Sequence, residues 1–211
     1  MLNNCSYELY DLPTIDEVHK LFDDTHMVGF NVTQPYKKTI IPYLDELSEE
    51  AEKVQAVNTV RIINGKKIGY NTDIFGFEKS LHLFPKSHQK ALILGNGGAA
   101  QAVKYVLEKN QIHYTTITRT ASPTFEELTA DLIQTTTLIV QCTPVGTFPN
   151  VEACLSFPFE HLNSQHLVID LIYNPDKTTF MKRAAEQRAK TLNGLYMLEM
   201  QAEKAWEIWN F

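Results

Sequence analysis

Two ionisable side chains, Lys37 and Asp73, stand among amides and hydroxyls at places where strands are expected to end. Lys37 closes the run Asn31-Val32-Thr33-Gln34-Pro35-Tyr36-Lys37, which leaves an apolar strand with polar side chains gathered at its carboxyl end. Asn58-Thr59 falls within a second strand, and Asn71-Thr72-Asp73 follows a third. Polar groups collected where strands give way commonly bind ligands, and several such segments in a short stretch suit a polyhydroxylated one. A lysine beside a carboxylate is held and oriented, and partial burial can make it a base in an oxidation and an acid in a reduction. Lys37 and Asp73 are therefore candidates for proton transfer at a reacting alcohol. Spacing alone also fits an exposed lysine and an aspartate capping a helix that begins at Ile74.

A second cluster has the spacing of a dinucleotide loop. Gly95-Asn96-Gly97-Gly98-Ala99-Ala100 follows a short apolar strand and opens a helix. Gly95 allows a tight turn, Gly97 lets the backbone approach a pyrophosphate, and small Ala100 permits close helix-to-strand packing. A carboxylate at the end of the next strand would accept from the ribose of NAD. The chain has Thr118-Arg119-Thr120 there, a guanidinium and two hydroxyls suited to the 2′-phosphate of NADP. The plainer reading of Arg119 is a surface residue at a strand end.

The elements that must position these groups fall into two rhythms. The first part mixes strands and helices. A strand is expected at residues 7–10, a short helix capped by Thr14 with Glu17 as its box partner, a buried strand at 27–32, an acidic amphipathic helix at 45–54, and a hairpin at 57–70 turning on Asn64-Gly65. From Lys90 onward, apolar strands at 91–94, 114–118, 137–141 and 167–171 alternate with helical stretches, the first at 99–108, as in a parallel doubly wound sheet. A boundary is expected between residues 83 and 89, giving a domain over 1–84 and another over 85–194. A last helix over 195–211, with Leu195, Leu198, Ala202, Ala205, Trp206 and Trp209 on one side, is expected to pack back and complete the first domain.

Composition limits the partners. With 19 Lys+Arg against 25 Asp+Glu the net charge is −6, so nucleic acid and anionic membranes are excluded as expected partners, while a small anion still fits a local basic pocket. An apolar content of 44% argues against disorder. No apolar run approaches the roughly 20 residues that cross a bilayer, and the start lacks signal-peptide character, so a cytoplasmic location is expected. Cys5, Cys142 and Cys154 lack metal-like or redox-like spacing, and no metal site is expected.

The chain resembles the shikimate dehydrogenase family. The resemblance is carried by Asn31-Val32-Thr33 with Pro35-Tyr36-Lys37, Ala56-Val57-Asn58-Thr59, Gly69-Tyr70-Asn71-Thr72-Asp73, the Gly95 loop, Arg119-Thr120, Cys142-Thr143-Pro144-Val145-Gly146, Asp170 with Tyr173-Asn174-Pro175, and Asn193-Gly194-Leu195 with Met197-Leu198 and Gln201. It implies a Rossmann-like NADP domain beside a smaller α/β substrate domain, and NADP-dependent interconversion of 3-dehydroshikimate and shikimate on the route to chorismate. It further implies that Lys37 is the catalytic lysine and Asp73 its partner. Thr33, Asn58, Tyr173 and Gln201 would bind substrate, and Glu49, Gly95, Asn96, Gly97, Gly98, Ala99, Thr118, Arg119, Thr120, Leu171 and Gly194 would contact the cofactor. The nicotinamide would then lie in a cleft between the domains, as part of a monomer or homodimer.

Departures from the family pattern shape the expectations. Thr118 replaces the usual Asn before Arg-Thr, and no second basic residue follows closely, which implies a weaker NADP preference. Gln141 replaces the common Asn before Cys-Thr, and Thr147 stands where Met often follows Val-Gly. The family's opening strand, serine-bearing loop and helix have no counterpart, so the substrate domain is expected to be incomplete at its N-terminus and to bind the substrate carboxylate less tightly. Two other activities fit the pattern: an NADP-binding form without turnover, and an NAD-using quinate/shikimate enzyme.

Overall fold

The computed structural model describes residues 5–84 and 88–210. Residues 15–18 form a 3-10 turn running into α1 (His19–Phe22). Then come β1 (Gly29–Asn31), β2 (Glu46–Leu47), α2 (Glu49–Val54), β3 (Thr59–Ile63), β4 (Lys66–Tyr70) and α3 (Asp73–His82). The second part holds β5 (Lys90–Leu94), α4 (Gly98–Lys109), β6 (His113–Ile117), α5 (Ala130–Gln134), β7 (Leu138–Gln141), β8 (Leu167–Asp170), α6 (Thr179–Glu186), β9 (Lys190–Leu192) and α7 (Leu195–Asn210). The first sheet has the order β1-β3-β4-β2; the second, all parallel, has the order β6-β5-β7-β8-β9. β7 and β8, each three apolar residues followed by one polar residue, are buried throughout, as a sheet covered on both faces requires. The expected boundary includes Pro85, Lys86 and Ser87, which lie outside the described residues, as do Met1 to Asn4 and Phe211.

Several local expectations are corrected. Residues 7–10 form no strand, and Tyr7, Leu9 and Tyr10 are exposed. Alternation alone does not make a strand without a partner, and this segment is tied instead by the Tyr7 hydroxyl donating to Asn31 Oδ1 (2.8 Å) and by its ring against Trp209. Thr14 makes no side-chain cap, and Glu17 pairs with Lys20 instead of completing a capping box. The stretch 45–54 is not one helix. Asp45 accepts from the Lys67 backbone N–H (2.7 Å), β2 pairs with β4, and Ser48 starts α2 by accepting from Ala51 N–H (3.2 Å). The strand expected over 27–32 is shorter and only half buried, and β9, too polar to stand out, adds an edge to the second sheet.

The last helix packs back as expected, but its inward face is rotated from the one its apolar spacing suggested. Of the expected side, Ala205 is buried and Trp209 half-buried against the first sheet, but Leu195, Leu198, Ala202 and Trp206 are exposed, and the inward stripe runs instead through Met197, Gln201 and Ala205. Two glycines set this register. A Cβ at Gly76 on α3 would lie 2.4 Å from the Met197 carbonyl, and one at Gly29 would lie 2.3 Å from Trp209 Nε1, which donates to Val60 O (2.9 Å). Close backbone approach, rather than side-chain hydrophobicity, therefore docks α7 on α3 and the first sheet. A shared apolar cluster joins Ile74, Phe77 and Leu81 of α3 to Ala100, Val103 and Leu107 of α4 and to Met197 of α7. Burial of each large side chain contributes about 1.5–3 kcal/mol, so the two sheets are held against each other by a common core.

Asp170, at the end of β8, holds the loop that follows it. One carboxylate oxygen accepts from Ile172 N–H (3.1 Å) and the other from the Thr178 hydroxyl (2.6 Å). Burial pushes this carboxyl up to about 6, against the downward pull of those two donors. The folded chain therefore binds the Asp170 proton more tightly than the unfolded chain does. The resulting stability is complete below the ordinary carboxylate range and is lost as pH rises through about 6.

Two outcomes are expected. Gly76→Val should lower the urea-unfolding free energy by at least about 2 kcal/mol through overpacking, while Gly97→Ala, whose Cβ meets nothing within 4 Å, should change it by less than about 0.5 kcal/mol; equal effects would contradict the docking role of Gly76. Comparing wild type with Asp170→Asn, the stability difference should move toward the variant by up to about 3 kcal/mol between pH 4 and 7. A difference that does not change with pH would refute the buried-carboxyl account.

Candidate active site

Lys37 follows β1 on a turn pinned from both sides. Tyr36 N–H donates to Thr33 O (2.9 Å), and the Lys37 carbonyl accepts from Val57 N–H (2.7 Å) just before β3. The side chain is thereby delivered to Asp73, the first residue of α3, and Nζ lies 2.6 Å from Asp73 Oδ2 with 19% and 10% of the two side chains exposed. Asp73 does not serve as a helix cap: Asn71 Oδ1 accepts from Ile74 N–H instead (3.4 Å), leaving both Asp73 oxygens for the site. The second oxygen accepts from Asn58 Nδ2 (2.9 Å).

Asn58 is the hub. It is 3% exposed, donates to Asp73 and to Gln201 Oε1 (3.4 Å), and accepts at Oδ1 from Thr72 N–H (2.7 Å). The Thr59 and Thr72 hydroxyls also lie within 3.2 Å of that oxygen. Thr72 additionally reaches Gln201 (3.2 Å), which brings α7 into the cluster from more than a hundred residues away. Behind it, Asn31 Nδ2 donates to Thr59 Oγ1 (3.1 Å) and Asn58 O (3.2 Å). Sequence reasoning singled out Lys37, Asp73, Asn58 and Gln201, and the structure brings all of these together. It missed Thr72 as a member, although the Asn71-Thr72-Asp73 run carried the signal. Thr33 and Tyr173 are exposed and stand outside this hydrogen-bonded cluster.

The glycine loop meets this cluster. Gly95 has φ +103°, and a Cβ there would lie 2.8 Å from Thr143 Cγ2. Gln141 shapes that neighbour, accepting from Thr143 N–H and donating to Val145 O. Gly97 ends in extended backbone with open space where a Cβ would point, and no side chain caps α4. The free N–H groups of Gly98 and Ala99 therefore face a cradle fitted to an anion. A Cβ on Gly98 would lie 3.9 Å from Lys37 Cδ, so the anion cradle and the ionisable pair are neighbours.

The remaining expected contacts are distributed around this centre. Thr118 engages its hydroxyl with both N–H and O of Ala121 (2.9 Å each), while Arg119 and Thr120 are exposed at the same strand end. Gly194 lies so close to Leu171 that a Cβ would come within 2.1 Å of its carbonyl oxygen. Glu49 begins α2, and the Lys53 ammonium beside it holds its carboxyl below the usual range. Burial pushes the Cys142 thiol up, with Asp170 adding to the effect, so it is no nucleophile. No group of three or more His, Cys, Asp or Glu suited to a metal occurs among the described residues.

The shikimate dehydrogenase substrate binding domain model matches residues 2–60. The NADP(+) shikimate dehydrogenase of Desulforamulus reducens is 39% identical over 208 residues, covering 87% of this chain and 72% of that protein. The shikimate dehydrogenase structure from Aquifex aeolicus superposes with a TM-score of 0.82 at 36% identity, covering 92% of this chain and 76% of the other. The Listeria monocytogenes shikimate 5-dehydrogenase, solved with shikimate and NAD, gives 0.82 at 30% identity, with 97% and 80% covered. With relatives of this identity matched over most of both chains, the chain belongs to the shikimate dehydrogenase family.

Proposed function

We propose that this chain interconverts 3-dehydroshikimate and shikimate with NADP. The observation that carries the reading is the Lys37–Asp73 pair, held by Asn58 and placed beside Gly98 at the start of α4. When bound, the dinucleotide supplies or accepts the hydride. Lys37 does the complementary work. In reduction, its ammonium donates a proton to the oxygen of the carbonyl group as that oxygen gains charge; in oxidation, the amine accepts the hydroxyl proton. Asp73 orients Nζ and keeps the positive charge near the developing oxyanion. Gly97, Gly98 and Ala99 would hold the pyrophosphate, and Arg119 with Thr120 the 2′-phosphate.

On this reading residues 5–84 together with α7 form the substrate-binding unit, and residues 88–194 the nucleotide-binding unit. Thr33, Tyr173 and Gln201 would meet the hydroxyls and carboxylate of the substrate, while Asn58, whose amide protons are both engaged, acts mainly by positioning Asp73. Glu49, Leu171 and Gly194 would complete the cofactor contacts. The reading places the reaction in the cytoplasm, on small metabolites, in a monomer or homodimer; among the described residues no helix is long and apolar enough to cross a membrane.

Lys37→Ala is expected to lower kcat for 3-dehydroshikimate reduction by about 10²–10⁴-fold while NADPH affinity, measured by fluorescence titration, stays within about 3-fold. Full turnover by the variant would overturn the assignment. Wild-type protein that binds NADPH without reducing 3-dehydroshikimate would favour the binding-only alternative.

A further inference from the structure

The sequence shows no second basic residue near Arg119, yet the fold supplies one from elsewhere. Parallel pairing places Leu94 opposite Ile117, and Gly95 N–H donates to Ile117 O (2.8 Å). Asn96 and Arg119, each two residues beyond that pair, therefore leave the sheet at one corner. Asn96 Oδ1 receives two donors from α4: Gln101 Nε2 (3.1 Å) and Lys104 Nζ (2.7 Å). These residues sit three apart on one helical stripe, and both side chains lean back toward the N-terminus of the helix, where the loop is.

The lysine is not neutralised there. Lys53 pairs with Glu49 and Lys109 with Glu78, whereas among the described residues no carboxylate lies within ion-pair distance of Lys104. Lys104 and Gln101 also line an open groove of about 730 Å³ between α2 and α4, so protein does not close over the ammonium on that side. What sets Lys104 apart is its place: its ammonium is clasped to the side chain of Asn96 in the nucleotide loop. On the opposite side of the corner Thr118 is committed to Ala121, leaving Arg119 as the strand-end cation.

We propose that Lys104, held in place by Asn96 and Gln101, is a specificity-determining residue that binds the 2′-phosphate of the dinucleotide together with Arg119. This rests on the NADP reading given above. It replaces the expectation of a weakened NADP preference: the missing second cation comes from α4 rather than from the strand-end loop.

Equilibrium titrations of NADPH and NADH with wild type, Lys104→Met and Lys104→Arg test it. Lys104→Met is expected to weaken NADPH binding about 5- to 20-fold, the range for a charge-assisted contact partly screened by water. NADH binding should change less than about 2-fold, which also reports that the variant is folded, and Lys104→Arg should retain most of the NADPH affinity. Unchanged NADPH affinity in Lys104→Met, or an equal loss for NADPH and NADH, would overturn the proposal while leaving the functional reading intact. Failure of wild type to bind NADPH at all would instead remove the functional reading and this inference with it.

Discussion

The ion pair between Lys37 and Asp73 is the constraint on which the rest of the molecule depends. Two charges withdrawn from water cost several kcal/mol each, and their mutual attraction offsets this only when the remaining lone pairs and protons are also satisfied. Asn58 meets the second Asp73 oxygen, and Asn58 is in turn fixed by Thr72, Thr59 and Gln201. The members come from four places in the chain: the turn after β1, the entry to β3, the start of α3 and the middle of α7. The sheet and helices are arranged so that these four places coincide.

The requirement for Gln201 explains the glycines. Gln201 can reach Thr72 only if α7 lies almost in backbone contact with α3, and Gly76 permits that approach. Gly29 similarly admits Trp209 to the first sheet. The core shared by α3, α4 and α7 then sets where Gly98 sits, bringing the anion cradle to the aliphatic part of Lys37. Substrate chemistry and cofactor binding are thus linked through packing. Asp170 plays a comparable part on the other side, where a buried carboxyl holds the loop bearing Tyr173.

Much of this was legible in the residues because it rested on local patterns. The hairpin around Asn64-Gly65 and the buried strands of the parallel sheet follow from turn chemistry and apolar runs, and the glycine loop from its spacing between strand and helix. What escaped detection depended on tertiary contacts. The inward face of α7 carries Gln201, so its spacing looked more polar than the face carrying Leu195 and Leu198. The strand β9, with Lys190 and Thr191, is formed by pairing with β8 rather than by its own propensity. Residues 7–10 alternate like a strand but find no neighbour to pair with. Nothing in the spacing around Lys104 marks it; the return of its side chain to Asn96 gives it a place beside the nucleotide loop.

The central claim is that Lys37 and Asp73 act as one proton-transfer unit. A double-mutant cycle on kcat for 3-dehydroshikimate reduction, comparing Lys37→Met, Asp73→Asn and the double variant, measures this most directly. If the two residues act together, the double variant will be no slower than the slower single variant within about 3-fold. Losses that multiply across the cycle would show that the two side chains contribute independently, and would contradict the account.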